Sequence, residues 1–145
     1  MEEAVALLRP LGDKWLMAIV LRDLAEVMVF QRQHEQAAAV AVEGLRVSQE
    51  LADRRSMAWC LMPLASAAAG RGHARRAAAL WGAAEGLSQS IGSPLLPTVR
   101  MSQNLHLPAA REALGDDAFA TAWAEGRRMT PEEIVAYALA DEVSP

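Results

Sequence analysis

Few side chains in this sequence are suited to acid–base or ligand chemistry, and their spacing limits what that chemistry is. The histidines are His34, His73 and His106. No two of them lie three or four residues apart, and Cys60 is the single cysteine, so neither a His-x-x-x-His nor a Cys-x-x-Cys pair exists to hold a metal. They read as solvated turn histidines. Acid pairs stand at Glu2-Glu3, Asp116-Asp117 and Glu132-Glu133, each at an expected helix start, where carboxylates offset the helix dipole. Arg71, His73, Arg75 and Arg76 form a short basic cluster without interleaved aromatics, which reads as a solvated face. Cys60 lies between Trp59 and Leu61-Met62 and reads as a small buried filler rather than a nucleophile. Arg22 and Glu26 remain, a cation and an acid one helical turn apart. No catalytic residue, metal or cofactor is expected.

Helices must carry these groups. The chain has 145 residues, 52 % of them apolar and many of those alanine, and no stretch alternates with the two-residue period of a strand. The net charge of −4 argues against direct binding of nucleic acid. The acidic start lacks the profile of a signal peptide, and the apolar runs Trp15 to Leu21 and Ala37 to Val42 are too short to span a bilayer. A soluble, cytoplasmic protein is expected.

An internal repeat sets the architecture. Leu11, Asp13, Met17, Ala18, Leu21, Leu24, Ala25, Ala37, Ala38, Ala39, Ser48 and Gln49 recur forty positions on, from Leu51 to Gln89, without a gap. A period in this range marks a helical solenoid, whose units bury their apolar faces by stacking. The expected helices run from Asp13 as cap to about Gln31, then Glu35–Leu51, Asp53 as cap to about Ala69, and Arg75–Ile91, with short turns that make neighbours antiparallel. Pro63 falls inside the third and predicts a kink. Residues 1–92 thus form about two and a half hairpins, 93–97 a linker, and 98–145 a C-terminal helical cap of the same compact domain. The cap reads as helices over 98–114, broken at Pro108, then 116–127 and 131–140. Thr130, Pro131 and Glu133 give the last one a capping box.

Leu24-Ala25 followed by Ala37, Ala41 and Gly44, and Leu64-Ala65 followed by Ala77, Trp81 and Ala84, resemble the tetratricopeptide (TPR) pattern of small and large residues. The forty-residue period exceeds the family's usual thirty-four, and the extra six are expected between hairpins. The stretches Arg76 to Leu87, Ile91 to Pro97, Leu114-Gly-Asp-Asp-Ala-Phe-Ala-Thr-Ala-Trp-Ala-Glu-Gly-Arg127 and Thr130 to Leu139 are similar to the C-terminal TPR region of LuxR-type transcriptional regulators built as signal-transduction ATPases, the STAND class. No phosphate-cradling Gly-Lys-Ser/Thr loop and no helix-turn-helix module accompanies it here.

The fold expected is therefore all-α, a right-handed TPR-like solenoid with a three-helix cap. The resemblance implies a non-catalytic interaction or sensor arm that binds a protein, peptide or small effector in a concave groove. The groove positions it implies are Ile19, Arg22, Glu26, Val29, Phe30, Trp59, Met62 and Ser66, unless the C-terminal helices fold back over them. A second reading is a small hydrolase-like enzyme using a pocket between solenoid and cap, with water activated by Glu26 or a histidine. Residues 2–10 read as the second helix of an incomplete repeat, so Val5, Leu7 and Leu8 are expected to form a homodimer contact.

Overall fold

Asp13 opens the first helix as expected: its carboxylate accepts the Leu16 N–H at 3.0 Å. Forty residues on, Asp53 accepts from the Ser56 N–H at 3.2 Å and from the Ser56 hydroxyl at 2.8 Å. The computed structural model describes residues 3, 4, 6 and 12–140. Among these residues the chain is all-α, without strands. Its helices are α1 (Lys14–Phe30), α2 (His34–Glu50), α3 (Arg54–Gly70), α4 (Ala74–Ser90), α5 (Met101–Leu114), α6 (Asp116–Arg127) and α7 (Pro131–Ala140). None of them is long and apolar enough to cross a membrane. Val5, Leu7 and Leu8, on which the dimer contact was expected, lie outside the described residues.

The turns show why the period is forty. Each of α1–α4 has 17 residues, and α1 to α4 are joined by residues 31–33, 51–53 and 71–73. Left-handed backbone recurs at Gly12, Arg32, Ala52, Gly72 and Gly92, with φ of 70°, 63°, 54°, 85° and 64°. The residue after each of the last four returns its N–H to the helix just ended. Gln33 reaches the Met28 carbonyl at 2.8 Å, Asp53 reaches Ser48 at 3.0 Å, His73 reaches Ala68 at 2.8 Å and Ser93 reaches Ser88 at 3.0 Å. This is the Schellman closure of a helix C-terminus, used four times. The extra length of the repeat therefore sits in the helices, which are longer as the sequence suggested, and the turns between hairpins are as short as those within them.

The shared residues of the two units are its core. Met17, Ala18, Leu21, Leu24 and Ala25 on α1, and Met57, Ala58, Leu61, Leu64 and Ala65 on α3, are all buried. α1 packs on α2 and α3, α2 on α3, and α3 on α4. The contact between α4 and α6 is closer. A Cβ added to Gly82 would lie 2.1 Å from the Trp123 carbonyl oxygen, one on Gly86 2.5 Å from that of Arg127, and one on Gly126 1.8 Å from that of Ala79. The backbones touch there because those three residues have no side chain.

α5 starts at Met101, later than the expected Thr98, because residues 98–100 form a turn. α3 and α5 both continue through their prolines, Pro63 and Pro108, so the break expected at Pro108 is absent. α5 packs mainly on α3, with further contacts to α4 and α1, whereas α7 lies against α2 and α4. Its capping box forms: the Thr130 N–H donates to Glu133 at 2.9 Å and the Glu133 N–H to the Thr130 hydroxyl at 3.2 Å. Arg76 holds the other end of α7, donating to the Tyr137 and Ala138 carbonyls at 3.2 and 2.9 Å. The basic cluster is thus a solvated face only in part. Arg76 is buried and Arg75 pairs with Glu125 at 3.2 Å.

Candidate functional site

The face that α1 and α3 turn towards one another's groove is where the binding positions were expected, and α5 lies across it. Met62 and Ser66 are fully buried, and the Ser66 hydroxyl shares a 2.9 Å hydrogen bond with the Ser102 hydroxyl of α5. Ser66 thus lies beneath α5, and Met62, about one helical turn before it on α3, is sealed as well. Val29 is buried, Ile19 is half-buried, and Phe30 is exposed at the far end of α1. Arg22, Glu26 and Trp59 do come together.

They line a cleft of about 150 Å³ with Asp23, Pro63, Thr98 and Val99. Three elements build it. α1 supplies Arg22, Asp23 and Glu26, α3 supplies Trp59 and Pro63, and the turn before α5 supplies Thr98 and Val99. That turn is fixed by Arg100, whose guanidinium donates to both Glu85 carboxylate oxygens at 3.0 and 3.1 Å and to the Leu95 carbonyl at 3.1 Å. Buried Leu95 and Val99 anchor it from inside.

The electrostatics of the cleft centre on Trp59 and Glu26. The guanidinium carbons of Arg22 and Arg55 stand 4.8 and 5.0 Å from the Trp59 ring centroid, both within cation–π range. Arg22 also pairs with Asp23, while its Nε is sealed from solvent without an acceptor. Both Glu26 carboxylate oxygens are sealed too and lack a hydrogen bond of normal geometry. Burial raises the Glu26 pKa above the usual carboxylate value; the facing Ser102 hydroxyl and backbone N–H, and then Arg22, offset this in part. Glu26 thus meets the first turn of α5, where amide donors have no helical partner. Pro63 has no N–H, so the Trp59 carbonyl four residues earlier has no helical i+4 donor.

A second polar cluster lies at the other end of the groove. The imidazoles of His34, first in α2, and His106, on α5, meet edge to face with centroids 5.5 Å apart. They are half-buried contacts, not the solvated turn residues the sequence suggested. Gly70 makes room for them, since a Cβ there would lie 2.3 Å from His34 Nε2.

Comparison with family models, with characterised proteins and with solved structures yields no match to this chain. The cleft therefore has to be judged on its own geometry. Arg22, Glu26 and Trp59 were among the groove positions that the TPR resemblance implied. Sequence reasoning missed Asp23, Arg55, Thr98 and Val99, two of which come from an irregular turn that no periodicity marks. It also missed the meeting of His34 and His106, which are 72 positions apart in a segment where the repeat has ended. The one available signal was Pro63, which was read only as a kink.

Proposed function

We propose that this chain is a non-catalytic, TPR-like interaction module, related in design to the sensor arm of STAND-class regulators, whose α1/α3 face binds a small effector or a partner's side chain. The observation that carries it is the Arg22–Glu26–Trp59 cleft, where an indole, a guanidinium and a desolvated acid converge beside an intramolecular ligand, α5. Two 17-residue helices per forty-residue unit and the tail from Leu114 to Arg127 support the family reading. The cleft suits recognition better than turnover. A buried acid needs a converging catalytic partner, and Asp23, the other carboxylate there, is tied to Arg22.

The test is a thermal-shift and calorimetric screen of small polar molecules against the wild type, Trp59→Ala, Glu26→Gln and Phe30→Ala. Hits that weaken in the first two variants support the cleft, and loss with Phe30→Ala extends the surface along α1. Hits indifferent to all three would refute it. Turnover of ester or phosphoester substrates that is abolished in Glu26→Gln would instead establish the hydrolase-like reading.

A further inference from the structure

We infer that the His34–His106 contact is an acid-sensitive latch that holds α5 over the α1/α3 face, so that protonating the pair releases α5 and uncovers Met62 and Ser66. The inference rests on the groove reading only for what the uncovered surface then binds.

Position comes first. His106 sits on α5 and His34 at the start of α2, and their rings touch at 5.5 Å across the junction. The pair ties α5 to the start of α2 one helical turn beyond Ser102, which bonds Ser66, while Glu26 faces α5 from α1. Gly70, the last residue of α3, is the seat on which the His34 ring rests.

The surroundings favour neutral rings. His34 Nδ1 and His106 Nε2 are both sealed from solvent and have no hydrogen-bond partner. A neutral imidazole needs only one donor and leaves the other nitrogen as an acceptor, whereas an imidazolium has two N–H donors to satisfy. Protonation would place a sealed, unpaired N–H on each ring, next to another cation. The charged groups facing the pair are Arg32 from the α1–α2 turn and Arg71 from the α3–α4 turn. Glu35 is the nearby acid, and it reaches Arg71 at only 3.9 Å while largely exposed.

Burial, then the neighbouring cations, lower both histidine pKa values below the usual 6.5. A depressed histidine pKa in the closed form means that the contact stabilises fully above about pH 6.5 and that this contribution is lost as pH falls further. The released state is then the protonated one, in the direction a histidine switch requires.

Hydrogen exchange of the full chain, corrected for intrinsic rates, tests this at about pH 7.5 and about pH 5.5. We expect α5 amides to lose at least about tenfold protection on acidification while α1–α4 keep theirs. His106→Phe, which keeps the edge contact without its own charge, should reduce the difference, and His34→Phe with His106→Phe should abolish it. Glu26→Gln should retain it, separating the latch from the other titratable group that faces α5. Gly70→Ala, which displaces the His34 ring, should loosen α5 already at the higher pH. Equal α5 protection at both pH values, or an acid response that is undiminished in the double His34→Phe, His106→Phe variant or disappears in Glu26→Gln, would overturn the latch. If His106→Phe does not fold, NMR titration of the wild-type imidazoles decides: α5 amide shifts that follow the histidine midpoint support it, and shifts that ignore it overturn it. Acid opening of α5 together with no ligand for Trp59 or Glu26 would leave the latch intact and remove the module reading. The converse result would remove the latch alone.

Discussion

The substitution Gly126→Ala adds one methyl group where, among the described glycines, a Cβ would meet the nearest neighbour. Its Cβ would sit 1.8 Å from the Ala79 carbonyl oxygen, 2.7 Å from the carbonyl carbon and 2.9 Å from Cα. All three are backbone atoms in the middle of α4, so no side chain can swing aside. Ordinary contact begins near 3.4 Å, so α4 and α6 must part by about 1.5 Å, and even a 0.5–1 Å gap forfeits roughly a quarter to a half of each dispersion contact. Overpacking of this kind costs about 1–3 kcal/mol, occasionally more, against roughly 1 kcal/mol gained from alanine's helix propensity. The buried contacts of Trp81, Phe119 and Ala122 share the displacement, which places the net loss near the upper end, at about 2 kcal/mol. For a chain of this size that lowers Tm by roughly 4–8 °C. Gly44→Ala is the internal control: its Cβ would meet the Cys60 sulfur at 3.0 Å, which has to give only by a few tenths of an ångström, and the Leu21 Cβ at 3.4 Å, an ordinary contact. It should change stability by less than about 1 kcal/mol. Calorimetry on the two variants decides the matter. If Gly126→Ala is as stable as Gly44→Ala, the backbones of α4 and α6 do not touch and the argument fails.

Three further outcomes follow from the same geometry. Ala52→Gly should stabilise by about 1 kcal/mol in urea unfolding, because a left-handed φ of 54° strains alanine and not glycine; no gain would mean that the turn is not left-handed. Glu26→Gln should raise Tm at neutral pH, since a raised carboxyl pKa favours folding below about 4.5 and that advantage is lost as pH rises. The difference should shrink on acidification, and a lower Tm throughout would contradict the burial described. Arg76→Met should cost about 2 kcal/mol by removing two charged hydrogen bonds to the end of α7. Limited proteolysis should then cut first in residues 128–140, and unchanged resistance would show that Arg76 does not hold that helix.

The repeat was legible because the same side chains do the same job forty residues apart. Asp13 and Asp53 cap, Leu21 and Leu61 fill the core, and Ala37 and Ala77 permit close packing. The departures from the repeat carried as much information. Gly82 and Gly86 stand where the first unit has Val42 and Arg46, and they are the residues against which α6 lies. Arg76 stands where the first unit has Gln36, and it is the residue that α7 covers. What could not be read was the path of α5. Its apolar residues lie on more than one side, with Met101 and Leu105 exposed and Ala110 buried, so no single stripe points to a neighbour. Its partners, Ser66 and His34, are polar residues that pattern analysis assigns to surface. The cleft inherits that limit, because Thr98 and Val99 reach it only through the course of the chain into α5.

That course also distinguishes the cap from the units it covers. The turns at 12, 32, 52, 72 and 92 make each unit an interchangeable cassette, and the local rules would admit a third copy after residue 92 as readily as a second. α5 would not. It leaves α4, runs along α3 and arrives at His34 beside α1, a reach that spans two units. A duplicated cassette would carry its start one unit away and strand His34 without His106. The crossing helix thus ties the cap to two particular units, the one that ends at residue 92 and the one before it.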